Sequence, residues 1–370
     1  MARWSRSVEG LALNDLFGGV YAGRRVLVSG HTGFKGSWLC LWLAALGARV
    51  TGLALAPDTE PAHCNLLGLT GIQDLRVDLR DAAAVRQALK QAQPEIVFHL
   101  AAQPLVRRSY REPAVTFDTN VLGLVNLLEA VRAVPSVHAL VNATTDKVYL
   151  EQSTNDGYRE DHPLGGHDPY STSKACAELV TDCYRKSFFV DAGPRVATAR
   201  AGNVIGGGDW SEDRLVPDLV RAASTGSTLR IRNPEAVRPW QHVLEPLSGY
   251  LLLGEQLFMG KAVEGPWNFG PANDATLAVR ALVGLLQAHW PTLRSENQPG
   301  PHPHEARTLQ LDASKASQQL GWHPVWNAET TLRTTIRWYR DYYERGHVRS
   351  HEDLQTYIDD ARTAGLGWAA

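Results

Sequence analysis

Short apolar runs alternate with amphipathic stretches through the first half of the chain, and their periods predict its elements. RRVLVSG (24–30) and ARVTGLAL (48–55) read as buried strands, separated by an apolar helix from about Gly36 to Leu46. DLRVDL (74–79) predicts a third strand, and DAAAVRQALKQAQ (81–93) an amphipathic helix opened by an aspartate cap. EIVFHLAA (95–102) and HALVNATT (138–145) predict strands four and five on either side of a long helix over 115–134. Near-continuous apolar strands alternating with helices predict an α/β fold, a doubly wound parallel sheet covered on both faces. Ligands of such a sheet sit beyond the carboxyl ends of its strands.

Beyond Gly202 the pattern changes: glycine, proline, tryptophan and arginine become frequent, as in GNVIGGGDWSEDRLVPDLV and RIRNPEAVRPWQHV. That composition predicts a smaller C-terminal lobe of loops and short elements closing over a polar ligand. The expected division is 1–200 for the sheet domain and 201–370 mainly for the substrate lobe, with about 236–262 returning to the sheet domain. A chain of 370 residues can bury cores of this size. Its net charge of −2 argues against nucleic acid or an anionic membrane as the main partner. Four cysteines, at 40, 64, 176 and 183, show neither paired metal-ligand spacing nor a disulfide framework. The amino terminus has no long apolar segment of the signal-peptide kind, and the most apolar run, WLCLWLAAL, is about half a membrane span. A cytoplasmic protein is expected.

Between the first strand and the first helix lies Gly30-His31-Thr32-Gly33-Phe34-Lys35-Gly36. Glycines at such a junction permit a tight turn and let backbone amides approach a diphosphate at a helix N-terminus, where the dipole favours an anion. The spacing is G-x-x-G-x-x-G, shifted from the usual dinucleotide fingerprint, but its place after a strand and before a helix predicts a Rossmann-type dinucleotide site. Gly30, Thr32, Gly33, Phe34, Lys35 and Gly36 are its candidate residues. The later strand ends, at Leu79, at Leu100, Ala101, Ala102 and Gln103, and at Thr144, are expected to line the rest. Strand two ends Leu53-Ala54-Leu55-Ala56-Pro57-Asp58, so the acidic residue that binds adenosine ribose in NAD sites comes late. No arginine or lysine in that segment waits for a 2′-phosphate, which selects NAD over NADP. Asp78 is the candidate for the adenine edge, or else a cap for the next helix.

Asp168-Pro169-Tyr170-Ser171-Thr172-Ser173-Lys174 opens a further helix, and Tyr170 and Lys174, four apart, project from one face of it. An ammonium beside a phenol favours phenolate, a base usable near neutral pH. This is the only Y-x-x-x-K in a chain with eleven tyrosines. With the glycine loop and Asn120 in the helix over 115–134, it resembles the extended short-chain dehydrogenase/reductase family of NAD-dependent epimerases and dehydratases. The resemblance covers nearly the whole chain. It implies NAD as cofactor, Asn120 in the cofactor site, and a catalytic unit of Tyr170, Lys174 and a hydroxyl at the end of strand five, where Thr145 stands.

Asp146 and Lys147 follow Thr145 directly. Removing a proton from C5 and water from C6 of a hexose requires an acid–base pair beyond the Tyr–Lys unit, and these two residues supply one. A protein that only sensed a dinucleotide would have no use for it. In most nucleotide-sugar 4,6-dehydratases the tripeptide reads Thr-Asp-Glu; a lysine in place of the glutamate resembles the branch acting on CDP-glucose. A lysine base must be neutral, which calls for burial or a nearby cation. GHTGFKGSW (30–38), RAGNVIGGGDW (200–210), RNPEAVRPWQHVLEPLSGY (232–250) and LGWHP (320–324) resemble the same branch. A nucleotide sugar carries two phosphates, and guanidinium groups hold these in bidentate fashion. Arg107, Arg214, Arg230, Arg232 and Arg238 are candidates, Arg238 foremost because its R-P-W-Q-H setting resembles the family's diphosphate contact. Gln103, Asn203 and His304 are further candidates for the substrate. No carboxylate or cysteine spacing joins the histidines into a metal site. The resemblance also implies a homodimer paired through the helices over 115–134 and 170–188.

Overall fold

The computed structural model describes residues 13–151, 157–190, 193–231, 233–271, 276–298 and 310–370. Seven parallel strands form the central sheet: β1 (Arg25–Ser29), β2 (Arg49–Ala54), β3 (Gln73–Arg76), β4 (Ile96–His99), β5 (Ala139–Ala143), β6 (Arg195–Arg200) and β7 (Gly265–Asn268). Their spatial order is β7-β6-β5-β4-β1-β2-β3. The chain runs outward from β1 to β3, then returns to β4 on the other side of β1. A crevice opens at that reversal, above the carboxyl ends of β1 and β4.

Side chains of successive strand residues leave opposite faces of the sheet, which makes two cores. Val26, Val28, Ile96, Phe98 and Val141 pack on the apolar helices Phe34–Ala45 and Leu244–Phe258. Leu27, Leu53, Val97, Leu140 and Val196 pack on the helices Ala82–Ala92 and Gly123–Arg132. Asp81 caps the former as expected, accepting from the backbone N–H of Ala83 and Ala84 at 3.0 Å.

Two elements depart from the sequence expectation. β3 stops at Arg76, and Asp78 turns aside in the following loop, where its carboxylate and the Arg80 guanidinium pair at 2.6 Å. The helix expected over 115–134 is broken into Pro113–Phe117, a π-helical turn Asp118–Leu122, and Gly123–Arg132. The wide turn presents Asn120 inward, where its carbonyl oxygen accepts from Gln103 N–H at 2.8 Å and its amide donates to the Ser173 hydroxyl at 2.9 Å. Pro113–Arg132 is long and apolar enough to cross a membrane by length and composition. Within the fold its Leu124, Leu127, Leu128 and Val131 are buried against the sheet.

Beyond β6 three two-stranded pairs carry the smaller part: Val204–Ile205 with Gln241–His242, Val237–Pro239 with Thr276–Ala278, and Thr228–Ile231 with Arg294–Asn297. Two C-terminal helices, Ala328–Arg345 and Ser350–Thr363, clamp this part to the sheet. Their anchor is Trp338, fully buried among His63, Trp210, Tyr339 and Tyr342, with its indole N–H donating to the Ser350 hydroxyl at 2.9 Å. Removing so large a buried ring leaves a cavity as well as a lost hydrogen bond. Trp338→Ala should lower stability by about 3–5 kcal/mol, read as a shift in the urea midpoint. An unchanged midpoint would show that the C-terminal helices are not held there.

Candidate active site

A cleft of about 1130 Å³ lies over the carboxyl ends of β1, β4 and β5. Its floor is the turn from β1 into the helix Phe34–Ala45. Gly30 has φ 77, and a Cβ on Gly36 would stand 2.0 Å from the Gly30 carbonyl oxygen, so the loop closes on itself only with glycine at both places. No side chain caps the helix at Gly33, which leaves its first-turn amides facing the cleft as an anion site. These residues fit a dinucleotide diphosphate. Thr32 fixes the loop by donating to the Leu55 carbonyl at 3.1 Å. Asp58 lines the cleft at the end of β2, its side chain 82% exposed and 3.9 Å from Arg108. Arg76, reaching across from β3, donates to the Leu55 carbonyl at 2.9 Å and pairs with Asp74. That cation at the end of β2 escaped sequence reasoning because it comes from a neighbouring strand.

Lys35 does not point out to solvent. Its ammonium reaches Tyr250 Oη at 3.5 Å, and burial, with Arg214, Lys174 and Lys147 nearby, pulls it down to about 7 against the attraction of Asp146. Leu79, Leu100, Ala101, Ala102 and Thr144 line the cleft as expected. Gln103 lines it too, but its side chain is engaged within the protein, accepting from Leu105 N–H at 2.7 Å and donating to Thr116 Oγ1 at 2.9 Å. Asn120 lies outside the cleft, bolting the Gln103 loop to the Tyr–Lys helix. Both residues were expected to touch ligand. Buried amides in mutual hydrogen bonds are the lower-energy use of those side chains.

The helix Pro169–Ser187 starts on Asp168, which accepts from Ser171 N–H at 2.9 Å, with proline in its first turn. It brings Tyr170 and Lys174 to the cleft wall beneath Thr145. The expected lowering of Tyr170 by Lys174 is not what this site does. Burial pushes the phenol up to about 12, partly offset by its hydrogen bond with Thr145, and Lys174 donates instead to the Ala143 carbonyl at 3.1 Å. Lys174 is itself drawn down to about 8 by burial, with Glu178 opposing.

Thr145, Asp146 and Lys147 form a short turn directly after β5. Thr145 Oγ1 donates to Asp146 Oδ1 at 2.9 Å, and Lys147 Nζ lies 3.1 Å from the same oxygen. Lys147 faces the cleft at 28% side-chain exposure, whereas Asp146 is buried to 1% behind it. Asn203, expected on the sugar or phosphate, has φ 48 and turns its amide towards Asp146 Oδ2 at 3.4 Å. Sequence reasoning missed Gly202: a Cβ there would stand 1.8 Å from the Asp146 carboxylate.

On the far side, Arg214 pairs with Asp209 at 2.8 Å, and Arg107 with Asp213 at 3.0 Å. Arg238 is nearly buried and lines the cleft. Arg230 sits at the rim, 66% exposed and paired with Glu296. Arg232 and His304 lie outside the described residues.

A parallel sheet with a glycine loop at its reversal and a Tyr–Lys helix beside the neighbouring strand defines a dinucleotide-binding enzyme of the extended short-chain dehydrogenase/reductase class. Residues 27–264 match the GDP-mannose 4,6 dehydratase family, and the chain belongs to it. It is 48% identical over 354 residues to CDP-glucose 4,6-dehydratase of Salmonella typhimurium, covering 91% of this chain and 97% of that one. A dTDP-glucose 4,6-dehydratase of Xanthomonas campestris is 29% identical over 336 residues, 85% of this chain and 92% of its own. Among solved structures, UDP-glucose 4-epimerase of Thermus thermophilus with NAD superposes at TM-score 0.75 with 28% identity, covering 85% of this chain and 99% of that one. A dTDP-glucose 4,6-dehydratase of Streptomyces venezuelae, also with NAD, gives 0.74 at 27% identity over 86% and 97%.

Gly202 offers a direct check on the geometry. Gly202→Ala must displace Asp146, and misplacement by about 1 Å costs roughly 100-fold in turnover. NAD binding, followed by fluorescence titration, should stay unchanged because the glycine loop is remote. Undiminished turnover would show that Asp146 does not depend on this wall.

Proposed function

We propose that the chain is an NAD-dependent dehydratase that converts CDP-glucose to CDP-4-dehydro-6-deoxyglucose. The observation that carries this reading is the Asp146–Lys147 pair, in contact at 3.1 Å, whose Lys147 shares one cleft with Tyr170 and Lys174. The 48% identity to a CDP-glucose 4,6-dehydratase supports the same substrate. The glycine loop Gly30–Gly36 would hold NAD by its diphosphate, and the cofactor would supply reversible hydride chemistry for C4 and C6 with no net consumption.

Burial holds Tyr170 as a phenol; the positive charge that NAD would add when bound favours the phenolate, which takes the C4 hydroxyl proton while Thr145 holds the C4 oxygen. The resulting ketone acidifies C5. Lys147, as free amine, removes the C5 proton while Asp146, as free acid, protonates the departing C6 hydroxyl. The pair then stands as ammonium and carboxylate. Lys147 gives its proton back to C5 as C6 is reduced. Tyr170 has gained one proton and Asp146 has lost one, so the protein's proton count is unchanged over the turnover. Lys174 orients the nicotinamide ribose, and Arg214 and Arg238 hold the diphosphate. A 4-epimerase would use Tyr170 and Lys174 alone and leave the second pair without work.

Residues 1–200, with about 236–262 and the sheet strand Gly265–Asn268, make the cofactor-binding domain in this reading, and the rest of 201–370 mainly the nucleotide-sugar lobe. A cytoplasmic location fits this reading, since nucleotide sugars are made there. Leu122 and Leu179 are 57% and 60% exposed on the two helices expected to pair subunits. A homodimer would cover them, and a monomer mass in solution at micromolar concentration would refute it.

Mass spectrometry of the protein with NAD and CDP-glucose should show loss of one water from the sugar nucleotide. An unchanged mass with an altered sugar NMR spectrum would mean epimerisation instead. Lys147→Ala should retain C4 oxidation, seen as nicotinamide absorbance on mixing, and lose dehydration by roughly 100-fold or more. Full turnover by that variant would remove Lys147 from the mechanism.

A further inference from the structure

The Tyr–Lys helix carries a third inward group. Glu178 follows Lys174 by four residues, as Lys174 follows Tyr170, so all three share one helix face. It is 4% exposed and accepts three hydrogen bonds: from Thr144 Oγ1 at 2.5 Å, Thr198 Oγ1 at 2.7 Å and Arg200 Nη2 at 2.9 Å. Arg200 continues to Tyr149 Oη at 2.7 Å, which donates to Asn268 on β7 at 2.7 Å. A carboxylate is thereby fixed between the helix and the ends of β5 and β6, directly behind the turn that bears Thr145, Asp146 and Lys147.

Such a network has an apolar alternative: a buried ion pair is often replaceable by packed hydrophobic groups without loss of stability. Its site suggests another use. Lys174 is buried, and its one hydrogen-bond acceptor is the neutral Ala143 carbonyl. Glu178 is the negative charge acting on it.

We infer that Glu178 is a positioning residue for this reaction: its carboxylate keeps the buried Lys174 ammonium charged and, through Thr144, fixes the turn that holds Thr145 and Asp146. The inference rests on the dehydrogenase role proposed for Tyr170 and Lys174. Other titratable groups near Lys174 do not substitute for it. His99, at the end of β4, is drawn down to about 3 by burial and stays neutral. Lys35 and Lys147 bring no negative charge, Arg200 and Tyr149 stand behind Glu178, and Asp146 is engaged with Thr145 and Lys147. Lys174 is a cation lowered in the fold, so activity that needs its proton is present below that range and lost as pH rises through it, near 8. Removing Glu178 moves that loss to lower pH.

The test uses the full-length protein and a sugar nucleotide that the parent protein turns over, so failure of the proposed reaction shows in the parent before any variant is read. Glu178→Gln keeps the shape and removes the charge. The alkaline limb of its kcat profile should fall by about one pH unit or more, the effect of losing one nearby opposite charge. KM for the sugar nucleotide, measured below that limb, should stay near the parent value. Glu178→Gln leaves Arg200 without its partner, so the double variant Glu178→Gln, Arg200→Met guards against a folding failure by removing both charges at similar volume. It should show the same displaced limb. A limb at the parent position in the double variant, or loss of activity equal at every pH, would reduce Glu178 to a structural role and overturn the inference.

Discussion

Asp146 is a carboxylate held out of water at the end of β5, and the surrounding site follows from making that position tolerable. An isolated buried charge costs far more than a fold can spare, so it must be paired and hydrogen-bonded, or neutral. Thr145 donates to one of its oxygens, Lys147 stands against the same oxygen, and Asn203 approaches the other. Gly202 withdraws even a methyl group from its path. This arrangement suits an acid with one proton to give.

Around this pair the charges are unbalanced. Lys35, Lys147, Lys174 and Arg214 converge on the cleft, with Asp146, Glu178 and Asp209 as the anions acting on them. An excess of cations in a low-dielectric crevice attracts a dianionic diphosphate and raises its local concentration. Burial, with Arg214, Lys174 and Lys147 nearby, already draws Lys35 down. Substrate binding and lysine ionisation are therefore linked, since a bound diphosphate returns negative charge to the groups that most lack it.

The fold was legible because its signals were local. Alternating strand and helix periods located five of the seven sheet strands and the glycine turn. β7 is short and reads GPWN, with no β-branched residue, so only its pairing with β6 reveals it. The catalytic cluster was legible for a different reason: Tyr170 and Lys174 share a helix face, and Thr145, Asp146 and Lys147 are consecutive. What sequence could not supply was the direction of side chains whose partners lie far along the chain. Asn120 and Gln103 hydrogen-bond each other across seventeen positions and face inward. Gly202 matters only because Asp146, more than fifty residues earlier, folds against it. Arg76 reaches the end of β2 because β3 lies beside β2, a fact of topology and not of spacing.

Ionisation near neutral pH usually belongs to histidine. Here His63, His99 and His242 are all buried and drawn down to about 3, which removes them from any titration between pH 5 and 9. Burial brings lysines into that range instead, Lys35, with cations around it, to about 7 and Lys174 to about 8. Arginine cannot be used in this way, because its charge survives burial. The chain has seven lysines against many more arginines, and three of the seven lie at this cleft. Lysine stands where a cation must be able to lose its proton, and arginine stands where the charge is needed at every pH, as at Arg200 and Arg214.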